Sequence, residues 1–193
     1  MNNQLTRYLI VPGWQGSGAD HWQSYWEQLL PNTQRVEQDD WLYPDRQNWT
    51  ARLDQYIKSS SAPVVLIGHS LGCVTIACWA NQASPSSRKQ VRGALLVAPA
   101  DVERPNCPGA LRGFAPIPLT ALPFPSLLVG SDNDRAASAD RAIAMGQAWG
   151  SEMVLLSGCG HINAAAGFHH WEAGFAYLYR LQGTIEQSAR KHG

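Results

Sequence analysis

The pentapeptide Gly68-His69-Ser70-Leu71-Gly72 fits the pattern G-x-S-x-G. It directly follows the apolar run Val64 to Ile67 and precedes an apolar, helical run from Cys73 to Ala80. A strand, a tight turn and a helix in that order make a nucleophile elbow. The flanking glycines leave room where a Cβ would strike neighbouring backbone. Such a turn lifts the serine oxygen clear of a sheet and aims a helix N-terminus at it. The chemistry is attack on an acyl carbon. The competing reading is a glycine-flanked turn in which Ser70 only caps the helix. The strand before and the helix after favour the elbow.

A serine hydroxyl at neutral pH needs a base to take its proton. Six histidines are available: His21, His69, His161, His169, His170 and His192. His192 lies in a polar tail, and His169 and His170 read as surface groups before a helix. His69 adjoins Ser70, cannot easily reach around to its oxygen, and is expected to pack or to hydrogen-bond below the turn. His21, in Asp20-His21-Trp22, reads as a pocket wall or as a brace for its loop, with the brace preferred. His161 ends Ser157-Gly158-Cys159-Gly160-His161, a Gly-rich loop after the last apolar strand run. That is where a hydrolase of this chain order presents its general base.

The acid should follow an intermediate strand. Ser126 to Val129 leads into Gly130-Ser131-Asp132-Asn133-Asp134-Arg135. Asp134 has the longer reach toward the histidine loop and is preferred. Asp132 is expected to brace its own turn, as Asp often does. Stabilising an oxyanion takes two backbone donors: Leu71 N–H at the elbow helix, and an N–H from the loop after an earlier strand. Trp14, within Pro12 to Gly18, is the candidate. A phosphate-binding loop is discounted there, because the G-K-[ST] ending and G-x-G-x-x-G spacing are missing. Gln15, His21 and His69 complete the candidate pocket residues.

The elements that must position these groups are legible as apolar runs. Strands are expected at Tyr8 to Val11, Gln34 to Glu37, Val64 to Ile67, Ala94 to Val97, Ser126 to Val129 and Met153 to Leu156. Helices are expected at Ser24 to Leu30, Trp49 to Ile57, Cys73 to Ala80, Ala136 to Trp149 and Trp171 to Gln187. Continuous rather than alternating apolar strands are buried on both faces, and intervening helices imply a parallel sheet. The expectation is an α/β three-layer sandwich with a mostly parallel central sheet of about six strands and helices on both faces. Active groups in such sheets gather beyond the carboxyl ends of the strands. The segment Pro99 to Pro125 is proline-rich, is expected to hold little regular structure, and is expected to border the pocket as a cap.

Composition bounds the rest. The 193 residues suit a single domain over 1–193, with 45 % apolar and 16 % charged residues. Net charge is zero and no basic stripe appears, which argues against nucleic acid or an anionic membrane as partner. The cysteines Cys73, Cys78, Cys107 and Cys159 show no zinc spacing. With no leader-like run at the N-terminus and no transmembrane-length stretch, the chain reads as cytoplasmic. Eight tryptophans are the compositional oddity, most of them read as packing.

With these residues placed, the chain resembles the bacterial branch of the retinoblastoma-binding-protein-nine/YdeN-type serine hydrolases, within the α/β-hydrolase superfamily. The resemblance rests on Val11-Pro-Gly-Trp-Gln-Gly-Ser-Gly-Ala-Asp-His-Trp22, Gln38-Asp-Asp-Trp41, the elbow, Val91 to Pro99 followed by Asp101-Val-Glu-Arg-Pro105, and Gly160-His-Ile-Asn163. It implies a compact α/β-hydrolase fold without a large cap domain and a triad of Ser70, Asp134 and His161. Arg135-Ala136 stands where the family usually has Pro-Tyr after the acid, which affects pocket shape on that side. The expected function is esterase-like hydrolysis of small carboxylic esters or amides through an acyl-enzyme, with no metal and no cofactor. The rival is a protein-interaction module that retains the fold.

Overall fold

The four central apolar runs become strands because their neighbours cover both faces, whereas the two edge strands are partly exposed. The structure, a computed structural model, describes residues 5–192. Residues 1–4 of the N-terminal segment and the side chain of His192 lie outside the described residues. The strands are β1 (Arg7–Val11), β2 (Thr33–Arg35), β3 (Val64–His69), β4 (Val91–Val97), β5 (Ser126–Ser131) and β6 (Glu152–Leu156). They form one sheet in the order β2-β1-β3-β4-β5-β6, and every pairing is parallel. The helices are α1 (Trp22–Leu29), α2 (Arg46–Lys58), α3 (Leu71–Gln82), α4 (Pro85–Gln90), α5 (Ala139–Trp149) and α6 (Phe175–His192).

Alternate residues of a strand point to opposite faces, and the two cores follow that rule. Leu9, Val11, Leu66, Leu96 and Leu128 pack with Trp49 and Leu53 of α2, Val74 and Ile76 of α3, and Met145 and Trp149 of α5. Tyr8, Ile10, Val65, Ile67, Leu95 and Val97 pack with Trp22 and Trp26 of α1 and Leu178 and Leu181 of α6. This is the three-layer α/β-hydrolase fold expected from the sequence.

Caps decide where several helices start. The side chains of His21, Asp45 and Ser138 accept the first free N–H groups of α1, α2 and α5. Each of these helices therefore starts directly after its capping residue. The C-terminal helix begins at Phe175 because a left-handed Trp171 and a short 3-10 turn, Glu172–Gly174, precede it. Helix α4 was not anticipated, although Ser84 at its cap and Pro85 at its first position are a legible start signal.

The proline-rich segment differs from the expectation. It carries a 3-10 turn at Gly109–Phe114, and Leu111, Phe114, Ile117 and Phe124 are buried in the core beside α2 and α3. Its first part is clamped to α5. Asp101 takes Arg141 in a two-pronged ion pair at 3.0 Å, and Glu103 accepts from Arg141 at 2.7 Å and from Ile117 N–H at 3.0 Å. Asp101, Glu103, Arg104 and Pro105 do border a cleft beside Asp134 and Arg135, while the apolar residues further along the segment pack into the core.

Candidate active site

Three glycines let the chain cross itself at the elbow. An ideal Cβ on Gly72 would lie 2.1 Å from the Val11 carbonyl oxygen, and one on Gly13 would lie 2.8 Å from Ser70 Cβ. One on Gly68 would meet Ile76 Cδ1 at 2.8 Å. The loop after β1 thus presses directly against the Ser70–Leu71 peptide. Ser70 sits between β3 and α3 at φ 55° and ψ −122°, a conformation that costs a non-glycine residue about 1–3 kcal/mol. Its backbone N–H donates to the Val97 carbonyl at 3.0 Å, which ties the turn to the end of β4.

The strand ends bring Ser70, His161 and Asp134 into one hydrogen-bonded chain. Ser70 Oγ lies 2.9 Å from His161 Nε2. Asp134 Oδ2 and Oδ1 lie 2.8 and 3.0 Å from His161 Nδ1. A carboxylate only accepts, so Nδ1 carries the imidazole proton and Nε2 is left to accept from the Ser70 hydroxyl. The Asp134 side chain is 3 % exposed and also accepts from Ala136 N–H at 2.7 Å.

Asp132 takes a different role. Its carboxylate accepts from Gly158 N–H at 2.8 Å and from the Ser157 hydroxyl at 2.7 Å. Those bonds, the Gly158 N–H first, hold its carboxyl below the usual range. Its two neighbours act in step. Ser131 Oγ accepts from Cys159 N–H at 3.0 Å, and Asn133 Oδ1 accepts from Gly160 N–H at 2.7 Å. Three consecutive side chains at the end of β5 and just beyond it therefore hold three consecutive amides of the histidine loop. Ser131 and Asn133 were missed in the sequence. The signal was a run of short polar side chains, which habitually bond to nearby backbone, opposite a Gly-rich loop.

The remaining candidates fall on two sides of the elbow. Trp14 and Leu71 donate no backbone hydrogen bond to another described residue, whereas Gln15 N–H is bound to the Trp41 carbonyl at 3.0 Å. Trp14 Nε1–H holds the Leu42 carbonyl at 2.9 Å, so its loop is braced from outside. Gln15 is exposed at φ 67° and borders a shallow cleft of about 280 Å³ with Trp41 and Arg35. His21 and His69 are buried behind Ser70, at 6 % and 5 % exposure. Gln23, also missed, is fully buried beneath the loop. It donates to the Ile67 carbonyl at 3.0 Å and accepts from the Ser17 hydroxyl at 2.7 Å. Among the described residues no group of three His, Cys, Asp or Glu side chains could hold a metal ion, and the four cysteines are free.

A family model for serine hydrolases matches residues 8–180 of this sequence. The chain belongs to that family. Among solved structures, a YdeN-like hydrolase from Pectobacterium atrosepticum is 34 % identical and superposes with a TM-score of 0.81, covering 93 % of this chain and 92 % of its own. The ydeN gene product of B. subtilis is 17 % identical, with a TM-score of 0.72 over 92 % of this chain and 98 % of its own. Est1E from Butyrivibrio proteoclasticus, solved with ferulic acid bound, is 15 % identical, with a TM-score of 0.68 over 97 % of this chain and 92 % of its own. No curated protein matches the sequence. The chain is a serine hydrolase of the YdeN type, and no helix among its described residues is long and apolar enough to cross a membrane.

Proposed function

We propose that this serine hydrolase cleaves small carboxylic esters, or amides, through an acyl-enzyme formed on Ser70. The observation that carries the reading is the unbroken chain Ser70 Oγ–His161–Asp134 at 2.9 and 2.8 Å. His161 Nε2 takes the hydroxyl proton as Ser70 attacks the acyl carbon, then returns it to the leaving alcohol or amine. Asp134 fixes the tautomer and stabilises the imidazolium without taking the proton. The Trp14 and Leu71 N–H groups receive the oxyanion. Leu71 opens α3, whose N-terminus favours negative charge. Water then attacks the acyl carbon, with His161 as base, and the acid departs. Esterase and type II thioesterase neighbours support acyl transfer as the class. The four free cysteines fit a reducing, cytoplasmic setting.

The experiment is labelling with a fluorophosphonate, followed by hydrolysis of matched p-nitrophenyl esters and p-nitroanilides. Labelling is expected in the folded protein and is expected to vanish in Ser70→Ala. An unlabelled folded wild type would sink the reading. The ester-to-anilide rate ratio separates esterase from amidase.

A further inference from the structure

The carbonyls that follow the His161 ring in the chain are held by two buried ring N–H groups. His69 Nε2 lies 2.9 Å from the His161 carbonyl oxygen. A carbonyl only accepts, so His69 Nε2 carries a proton and donates it. The next carbonyl, of Ile162, accepts from Trp22 Nε1–H at 2.9 Å. The backbone between needs such support. Gly160 sits at φ 55°, and Ile162, fully buried and β-branched, sits at φ 46°. His161 is therefore flanked by two left-handed residues, and the local backbone bond across them is the long one from Ile162 N–H to the Cys159 carbonyl at 3.2 Å.

A third imidazole stands behind the first two. The His69 ring centroid lies 4.9 Å from that of His161 and 4.8 Å from that of His21. His21 Nδ1 accepts from Gln23 N–H at 3.1 Å, so its proton is on Nε2, a buried atom with no hydrogen-bond partner among the described residues. Burial, first among several causes, pushes the pKa of His69 well below its ordinary value and that of His21 down to about 4. His69 thus supplies a donor without a charge. A cation in its place would oppose the imidazolium that forms on His161 during attack.

We propose that His69 is a positioning residue for the hydrolysis. Its Nε2–H holds the His161 main chain, and so sets the imidazole between Ser70 and Asp134, while His21 and Trp22 wall it in. This rests on the reading of Ser70 and His161 as nucleophile and base. It also gives the elbow residue before the serine a task that the five-residue pattern does not state.

The test compares His69→Phe, which keeps a ring but loses the donor, with His69→Gln, whose amide can still donate. Readouts are kcat and KM on p-nitrophenyl acetate, the fluorophosphonate labelling rate, and the low-field proton resonance of the His161–Asp134 hydrogen bond. His69→Phe is expected to lower kcat and labelling by about 10- to 100-fold, with KM changed by less than about twofold and the resonance broadened or lost. His69→Gln is expected to recover kcat to within about threefold of wild type. A folded His69→Phe with unchanged kcat and a sharp resonance overturns the proposal, as does a folded His69→Gln that is as slow as His69→Phe. Should His69→Phe not fold, His69→Gln decides alone: near-wild-type rate supports the role, and a loss beyond about tenfold overturns it. Hydrolysis that survives in Ser70→Ala would strike the underlying reading instead, and the resonance comparison would still report whether His69 orders His161.

Discussion

The elbow and the histidine loop hold the two ends of the Ser70–His161 hydrogen bond, yet they are fixed largely by different means. The elbow is fixed by contact. Gly72 lets α3 approach the Val11 carbonyl, and Gly13 lets the loop after β1 touch Ser70, so neither position has room for a side chain. The histidine loop is fixed by hydrogen bonds. Ser131, Asp132 and Asn133 hold its amides, and His69 and Trp22 hold its carbonyls. A steric constraint is all-or-none and independent of pH. A set of polar pegs is graded, since each can be lost without the others, and some of the pegs titrate.

Breaking the steric half should have the largest effect. Gly72→Ala sets a Cβ against two backbone carbonyl oxygens, at 2.1 and 2.8 Å, which cannot swing aside. The expected loss is about 4 kcal/mol or more of stability, read as absent or strongly lowered cooperative unfolding. A melting temperature like that of wild type would show that the elbow is less tightly crossed than described.

Asp134→Asn tests the point where the two halves meet. The carboxamide would still occupy the site but would present an N–H or a weaker acceptor to His161 Nδ1. By the behaviour of serine hydrolases in general, kcat should fall by about 10⁴-fold with the fold intact. A fall below about tenfold, with Asp132→Asn more damaging, would exchange the roles assigned to the two aspartates.

Asn133→Ala removes one peg. Gly160 N–H and the Ser131 hydroxyl lose their acceptor. The expected cost is about 1 kcal/mol, and a fall in kcat of roughly tenfold if that loosening reaches His161 in the transition state. Labelling by fluorophosphonate should slow in parallel. A stability loss with kcat unchanged would mean that the pegs hold the loop but not the ring.

The smallest effect is a pH dependence. Asp132 is a carboxyl whose folded pKa is depressed, chiefly by the Gly158 N–H. Its contribution to stability is therefore complete above the unfolded value of about 3.9 and is lost as pH falls through the lower folded value. The gap in melting temperature between wild type and Asp132→Ala should be full at neutral pH and should close in acid. A gap that widens in acid would reverse the assignment of Asp132 as a charged peg.

The two regions also differ in how they could be read. Gly68-His-Ser-Leu-Gly72 between an apolar strand and an apolar helix announces the elbow, because close backbone crossing demands glycine and nothing substitutes for it. His161 after the last strand was legible for a similar reason: chain order in a parallel sheet places it at the same end as Ser70. The pegs were not legible. Ser131 and Asn133 are ordinary turn residues until β6 pairs with β5 and brings the loop after it alongside. His69 was expected to pack or to hydrogen-bond below the turn, but its partner, a main-chain carbonyl 92 residues away, is set only by the fold.

The sequence by itself thus determined the parallel α/β sheet, through continuous apolar strands buried on both faces, and the serine at its elbow, through glycines that no other residue replaces. Asp134 was already preferred from its place in the chain, and only the tertiary structure decided what holds the histidine's backbone and that the proline-rich segment joins the core. The physical reason is range. Burial and glycine geometry are properties of a residue and its near neighbours, whereas a hydrogen bond between two loops exists only after the strands beneath them have set their ends together.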